Sequence, residues 1–357
     1  MLKVLFAALK YDYGKPGRGL SVEHTNFYDC LSQMSDIQAE FFGVDELMLS
    51  SNRDEMNAKL IARVEESKPD LLFCYLLSEE LKKETIHYIT RKTKTKTFNW
   101  FADDHWRIPI FSRHWAPLFT LVSTTDSEAP EIYKSYGITN VIKTQWGANP
   151  HLYFPQDEKL NPRNLDITFV GAKYGLRASF VSKLESAGLP ILPFGQGWPK
   201  GRIDHKHMLE VFCYSKINLN FAETYYYGAV AKMKMLAKLF IAKEMGSYKF
   251  TGHHFFDNWQ AMKGTQKKPI KGRVFEVPAT GGFLITGKSD DEISEYYVPD
   301  KEIVVFNNES ELIEKCSYYL AHDAERKAVA KAGYDRTVKD HTYINRFKDI
   351  FRALGLM

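Results

Sequence analysis

The feature that most constrains the fold is a repeated alternation of short apolar runs with longer amphipathic stretches. Residues 3–9 form a continuous apolar run, and similar runs recur at 69–75, 97–101, 119–123 and 141–143. Such runs are typical of strands that are covered on both faces, and helical stretches between them favour parallel pairing. The pattern therefore predicts an α/β fold built on a doubly wound parallel sheet.

A second series of the same kind begins at Asp166. Its strands are predicted at 166–171, 191–194, 216–220, 282–286 and 303–306. Between the two series, the polar stretch 151–165 interrupts the pattern and predicts a linker. We therefore expect a first Rossmann-like domain at 1–150, a second at 166–340, and a final helix at 341–357 that returns to the first domain.

The stretch 223–271 breaks this rhythm, because it has no clear strand pattern and is crowded with lysines and aromatic residues. About 50 residues is long for a connection inside a compact domain, so we expect an insertion in the second domain. It is either an acceptor-side element or a helical pair packed by its own aromatic side chains. His253 and His254 lack further ligands nearby, and no metal site is predicted.

Composition sets broad limits. The 357 residues suffice for two domains, and the formal net charge of +4 is too small to argue for nucleic acid by itself. Four cysteines lie far apart without a CxxC pair, so neither a zinc site nor a disulfide framework is indicated. No apolar run reaches the roughly 20 residues of a membrane span, and we expect a cytoplasmic protein.

A candidate phosphate site follows the first strand of the second series. Gly171 begins a turn, and Lys173 and Arg177 lie four residues apart beside the expected start of a helix. Backbone N–H groups, a helix N-terminus and one or two cations together neutralise a diphosphate. The alternative is a pair of solvated surface cations.

Acidic residues supply the candidate catalytic groups of the first domain. Asp103 and Asp104 follow the predicted strand 97–101, and Glu23 follows the first strand and a Gly-rich loop. Ligands of open α/β sheets lie beyond the carboxyl ends of the strands, where an Asp can act as a general base on a hydroxyl. Capping of the following helix is the alternative role for both aspartates.

One further segment places an acid beside bases before an apolar strand. It runs from Lys271 to Gly282 and contains Arg273, Glu276 and Gly281. Taken alone, a Glu beside an Arg is more often a structural ion pair than a ligand site.

Residues 166–347 resemble the CgeB-like spore-maturation group of glycosyltransferases. Six motifs carry this resemblance in order, at 166–171, 194–198, 216–220, 271–276, 301–306 and 340–343. It implies the GT-B fold, in which two Rossmann-like doubly wound parallel-sheet domains face each other across a cleft.

The same resemblance implies transfer of a sugar from a nucleotide donor. Glu276 would accept hydrogen bonds from the ribose hydroxyls, because a carboxylate offers only acceptors to neighbouring donors. Arg273 lies in the same motif, and Gly281 and Gly282 would let the backbone approach the ligand. We expect a UDP-sugar as the donor and no divalent metal for its binding.

More distantly, the chain is similar to phage enzymes that glucosylate hydroxymethylcytosine in DNA. This similarity matches Asp103 to a catalytic Asp, Glu23 to an active-site Glu, and Lys173 and Arg177 to phosphate-binding cations. Lys268 stands where retaining group-one glycosyltransferases carry the first Glu of Glu-x7-Glu. We therefore expect an inverting transfer with Asp103 as the base.

The acceptor stays open at this point. A carbohydrate or a protein hydroxyl is the leading expectation, and nucleic acid is an alternative that the phage similarity and the Lys-rich insertion favour. A third possibility is a protein that binds nucleotide sugars without catalysis.

Overall fold

The computed structural model describes residues 1–156, 164–222, 233, 236–237, 239–244, 247–250, 254–290 and 293–357. They divide into two compact units. The first unit contains Met1–Gln145, Ala237–Gly264 and Tyr343–Met357, and the second contains Trp146–Leu236 and Thr265–Thr342. The division after Gln145 lies close to the expected boundary at 150. The segment 237–264, expected within an insertion of the second domain, instead groups with the first unit.

The first unit is built on a six-stranded parallel sheet in the order β2-β1-β3-β4-β5-β6. The strands are β1 (Leu2–Ala8), β2 (Ile37–Gly43), β3 (Leu71–Cys74), β4 (Lys96–Phe101), β5 (Leu121–Thr124) and β6 (Val141–Lys143). Four of these strands were predicted within two or three residues, and β6 has its predicted bounds. β2 was not predicted, because Gln38 and Glu40 interrupt its apolar sequence.

Helices surround this sheet. They are α1 (Asp29–Ser32), α2 (Val44–Ser50), α3 (Arg53–Ser67), α4 (Lys83–Lys92), α5 (Asp104–Arg107), α6 (Arg113–Trp115) and α7 (Ala129–Ser135). Two π-helical turns, Glu23–Tyr28 and Ile108–Ser112, precede α1 and α6. The core between them is apolar, and the rings of Phe27 and Phe73 lie in it fully buried.

The second unit is built on a five-stranded parallel sheet in the order β13-β12-β9-β7-β8. Its strands are β7 (Leu165–Val170), β8 (Ile191–Phe194), β9 (Ser215–Asn220), β12 (Leu284–Gly287) and β13 (Val304–Phe306). Its helices are α8 (Arg177–Ser186), α9 (His205–Tyr214), α11 (Arg273–Ala279), α12 (Glu309–Ala321) and α13 (Asp323–Asp340). Phe180, Val181 and Leu184 are buried on the inner face of α8, as their spacing predicts.

Two elements of the first unit come from late in the chain. An antiparallel hairpin, β10 (Ile241–Glu244) with β11 (Ser247–Phe250), leads to α10 (Phe255–Gly264). The expectation that 223–271 contains no strand is therefore wrong, because the pairing of β10 with β11 needs no apolar alternation. The last helix, α14 (Tyr343–Ala353), packs Phe347 against Phe27 and Phe73 with ring centroids 5.7 Å apart.

The two parallel sheets of six and five strands confirm the predicted fold class. Among the described residues, no helix is long and apolar enough to cross a membrane.

Candidate active site

At the carboxyl edge of the first sheet, Asp103 follows β4 and immediately precedes α5. Its backbone is left-handed, with φ at 58° and ψ at 27°, and its carbonyl accepts the first hydrogen bonds of α5 from Trp106 and Arg107. The Asp103 carboxylate makes no capping hydrogen bond to α5. A non-glycine residue in this conformation carries backbone strain of the kind found at functional sites. The carboxylate thus stays half-buried at the strand end without a structural duty to the helix.

Asp104, the next residue, lies in a different environment. Its side chain is only 1% exposed, and it accepts hydrogen bonds from Ser112 Oγ at 2.6 Å and Tyr133 Oη at 2.8 Å. Burial raises the Asp104 pKa to about 6, against the opposing effect of these hydrogen bonds. The role that its contacts support is to fix α5 against the π-helical turn and α7.

Glu23 lies at the start of the π-helical turn after β1. Burial raises its pKa to about 7, and the charges of Asp12 and Glu80 act in the same direction. Insertions of π-helical geometry are frequent at functional sites, where they redirect a side chain. Glu23 is therefore a carboxyl group that changes charge near neutral pH.

Tyr75 joins these two acids and was not singled out in the sequence. It follows β3, the strand between β1 and β4, so the three residues follow neighbouring strands at one edge. Burial first, and then the charges of Glu23 and Asp103, hold the Tyr75 pKa well above its usual range. The phenol stays protonated beside both carboxyl groups and can donate a hydrogen bond. Only the folded topology reveals it, since a Tyr after a strand has no distinctive sequence pattern.

The first unit also holds a cavity of about 220 Å³ at this end of the sheet. It opens where α4 and the segment after β4 meet α10. Its walls combine aromatic and polar side chains, namely Glu79, Lys83, Phe111, His114, Trp115 and Asp257. The pKa of His114 is lowered by burial and by the neighbouring Arg113 and Lys83, so its imidazole is neutral.

In the second unit, two loops meet backbone to backbone beyond β7 and β8. Gly171 N donates to Phe194 O at 2.8 Å, and Gly171 O accepts from Trp198 Nε1 at 2.9 Å. Gly195 has φ at 131°, and a Cβ there would overlap the Gly171 carbonyl. Gly195 is therefore needed for the close approach of these loops, whereas a Cβ at Gly171 would meet the Phe169 ring. The predicted contact of Gly171 with phosphate stays a prediction.

Lys173 and Arg177 are placed very differently. Lys173 is exposed at the tip of the loop, with Nζ 5.1 Å from the centroid of the Trp198 ring. Arg177 is buried, and its guanidinium donates to Ala172 O at 3.0 Å and to Phe221 O at 3.3 Å. The structure thus leaves the Lys173 ammonium open to a ligand, whereas Arg177 ties the loop to the end of β9.

Glu276 lies in the first turn of α11 and is 3% exposed. Its Oε2 accepts a hydrogen bond from Arg273, one turn earlier. His205, the first residue of α9, lies close enough for the charges of Glu276 and Arg273 to act on it, and burial is the main cause of its lowered pKa. The His205 Nε2 atom is buried and has no hydrogen-bond partner among the described residues. His205 is thus a second residue that the sequence did not single out.

Gly281 and Gly282 lie at the other edge of this sheet. They precede β12, whereas Gly171 follows β7, and the two strands are parallel through β9. Gly281 lines a different cavity of about 270 Å³ beside Cys213 and Arg326. A Cβ at Gly282 would crowd Val277 and Asn218, so this glycine serves packing. The expectation that both glycines approach the nucleotide stays a prediction.

Among the residues that the structure describes, no group of three or more metal-binding side chains lies together. His254 is described and lines the cavity beside α10, whereas His253 lies outside the described residues.

Comparisons with known proteins add a family and a fold. Residues 177–352 match the model of the glycosyl transferase-like family. A search of curated protein sequences gives no match. Among solved structures, a sucrose-phosphate synthase from Thermosynechococcus elongatus superposes with a TM-score of 0.62 at 10% identity, covering 99% of each chain.

Two further structures are similar over their full length. HepE from Anabaena, solved in complex with UDP-glucose, gives a TM-score of 0.59 at 10% identity and covers 100% of each chain. A glycosyltransferase from Rickettsia africae gives 0.57 at 13% identity, covering 99% of this chain and 98% of its own. Identities this low establish the fold, which is GT-B. The family match over residues 177–352 is to glycosyltransferases, the enzyme class that the sequence predicts.

Proposed function

We propose that the chain transfers a sugar from a UDP-sugar to a carbohydrate hydroxyl with inversion at the anomeric carbon. The family match and the UDP-glucose in the similar HepE structure support the donor class. The main observation behind the proposal is that three groups follow neighbouring strands at one sheet edge. Asp103 lies in a left-handed turn, Glu23 has a raised pKa, and Tyr75 is protonated.

The second unit would hold the donor at the carboxyl edge of its sheet. Glu276, fixed by Arg273, presents Oε1 as an acceptor for ribose hydroxyls, and the unpartnered His205 Nε2 lies beside it. Lys173, at the exposed tip of the β7 loop, would contact the diphosphate. Arg177 would act through the loop that it holds.

The first unit would perform the chemistry. Asp103 accepts the proton of the acceptor hydroxyl while that oxygen forms a bond to the anomeric carbon, and the bond from this carbon to the diphosphate oxygen breaks. Because attack and departure occur on opposite faces, the anomeric configuration inverts. Tyr75 and Glu23 would hold the acceptor hydroxyl or orient Asp103.

The cavity beside α10 is the proposed acceptor subsite. Its aromatic rings suit the apolar face of a sugar ring, while Glu79, Lys83 and the neutral His114 offer both acceptors and donors to hydroxyl groups. This mixture favours a carbohydrate over a purely apolar acceptor.

A donor panel tests the function. The protein is incubated with UDP-glucose, UDP-galactose and UDP-N-acetylglucosamine, with and without simple glycosides, and both UDP release and product mass are recorded. We expect release of UDP from at least one donor, and a product of inverted configuration by NMR. Tight UDP binding without release from any donor would instead support a non-catalytic binding protein.

A further inference from the structure

The region 237–264 exposes an unusual set of aromatic side chains. Of the five phenylalanines and tryptophans that are exposed among the described residues, four lie here: Phe240, Phe250, Phe256 and Trp259. Phe250 is 80% exposed and Phe256 is 73% exposed. Isolated exposed apolar residues are ordinary, but a cluster of large ones marks an interaction surface. We call these four residues the aromatic face.

The aromatic face is continuous. Phe240 stacks on Phe250 with ring centroids 5.7 Å apart, and it contacts Phe255 at 5.6 Å, which in turn contacts Phe256 at 5.7 Å. Trp259 follows Phe256 by three residues on α10, so both side chains share one face of this helix. The hairpin and the helix therefore present a single apolar surface.

The base of this surface is anchored in the first unit. Asn258 Nδ2 donates to Leu239 O at 3.2 Å and to Ile241 O at 2.9 Å, and Asp257 pairs with Arg113 at 2.7 Å. Gly264 packs so closely on the His105 backbone that a Cβ would overlap it. α10 thus buries one side against α5 and leaves the side with Phe256 and Trp259 outward.

The charge of the region 237–264 indicates what the aromatic face binds. The sequence of the region 237–264 contains four lysines, two acids and no arginine, so the net charge of this region is positive. Lys263 Nζ lies 3.6 Å from the centroid of the Trp259 ring, which places a cation beside the apolar surface. Exposed phenylalanines flanked by lysines match the interface of an anionic bilayer, where rings enter the acyl boundary and ammonium groups reach phosphates. Nucleic-acid surfaces rely more on arginine, which this segment lacks.

We propose that the aromatic face binds the surface of a lipid bilayer that contains anionic headgroups. Phe250 and Phe256 insert into the boundary between headgroups and acyl chains, Phe240 and Trp259 lie at headgroup level, and Lys263 beside Trp259 attracts the anionic lipids. The attachment brings the first unit to a membrane independently of sugar transfer.

Sedimentation with vesicles tests this proposal. The full-length protein is mixed with phosphatidylcholine vesicles with and without phosphatidylglycerol, and the bound fraction is measured. We expect binding to the anionic vesicles that weakens with added salt, and a fall of at least about tenfold in partitioning for the double variant Phe250→Ser, Phe256→Ser. The matched control is Phe154→Ser, an exposed phenylalanine of the second unit, which should partition as wild type.

Further variants guard against a folding artefact. The double variant Phe250→Trp, Phe256→Trp should retain binding, because tryptophan is favoured at the bilayer interface. Near-UV circular dichroism and UDP affinity should match wild type in every variant. Failure of wild type to bind anionic vesicles, undiminished binding by the serine variant, or wild-type binding to duplex DNA but not to vesicles would each overturn the proposal.

Discussion

At the carboxyl edge of the first sheet, two acids, Glu23 and Asp104, lie in buried surroundings that disfavour their charge. In the second unit, by contrast, Glu276 is paired with a neighbouring arginine. Burial raises the pKa of Glu23 to about 7 and that of Asp104 to about 6. In the second unit, Arg273 pairs with Glu276, and the Arg177 guanidinium donates to two backbone carbonyls.

This contrast separates proton transfer from binding. A carboxyl group whose pKa lies near neutral pH can release and accept a proton during a reaction. A carboxylate that accepts a hydrogen bond from a neighbouring arginine at one oxygen, as Glu276 does from Arg273, keeps its other oxygen as an acceptor, which suits hydroxyl recognition. We therefore propose that the first edge serves proton transfer and that the second edge holds the donor, a division that the following variants probe.

Replacement of Asp103 should give the largest effect. Asp103→Asn keeps the size of the side chain but removes the base, so we expect kcat to fall by about 10²–10⁴ while the donor Kd stays close to wild type. Steady-state kinetics and calorimetry with UDP measure the two quantities.

Asp104→Asn is the neighbouring comparison. Because Asp104 accepts from Ser112 and Tyr133 inside the unit, its loss should reduce thermal stability more than kcat. Normal turnover by Asp103→Asn, or a product with the donor's own anomeric configuration, would refute the assignment of chemistry to Asp103.

The second largest effect is expected at Glu276. Glu276→Ala removes the proposed acceptor for the ribose hydroxyls, so the affinity for both uridine and UDP should fall by about 1–3 kcal/mol. The control is Glu302→Ala, which removes another arginine-paired carboxylate of the same unit, joined to Arg336 at 3.1 Å before β13. Calorimetry should show a loss of uridine and UDP affinity for Glu276→Ala and none for Glu302→Ala. If the two variants bind these ligands equally well, Glu276 does not belong to the donor site.

The sequence predicted the strands of the two sheets better than the roles of individual side chains. Continuous apolar runs located nearly all strands of both parallel sheets, because a strand buried on both faces leaves a local signature. β2 carries Gln38 and Glu40 and lies at the sheet edge, where that signature weakens. The β10–β11 hairpin was missed for a similar reason.

Side-chain roles depend on turns that no local pattern records. Lys173 and Arg177 are four residues apart, but α8 begins only at Arg177, so the helical spacing does not apply and the two cations face different surroundings. The left-handed turn at Asp103 likewise separates it from Asp104. Tyr75 and His205 could not be singled out from the sequence. Each is recognised only once the fold of its own unit places it near the other candidate residues of that unit.

A smaller effect, on stability, should appear at Glu23. Its pKa of about 7 exceeds the ordinary value of 4.5, so between these values the folded protein retains a proton that the unfolded chain has released. Stability attributable to Glu23 is therefore complete at low pH and lost as the pH rises through this window. Glu23→Gln removes the penalty, and its Tm relative to wild type should rise by about 2 °C or more between about pH 4 and pH 8.

The wild-type protein serves as the reference in each buffer. A constant Tm difference across the range for Glu23→Gln would show that Glu23 is ordinarily ionised, and the contrast between the two edges would fail.

The smallest effect is expected at Lys173. A variant there tests whether the exposed Lys173 contacts the ligand while the buried Arg177 only holds the loop. Its exposed ammonium would meet only the diphosphate, so Lys173→Ala should weaken UDP by about twofold to fivefold and leave uridine unchanged, in keeping with the modest strength of exposed charge pairs. Lys183→Ala is the control, since Lys183 is another exposed lysine, on α8, where it pairs with Glu309. Added salt should reduce the difference between wild type and Lys173→Ala, because the contact is screened. Equal losses for UDP and uridine would mean that Lys173 acts by holding the loop against Trp198, as Arg177 does against Phe221, and that the diphosphate is neutralised elsewhere.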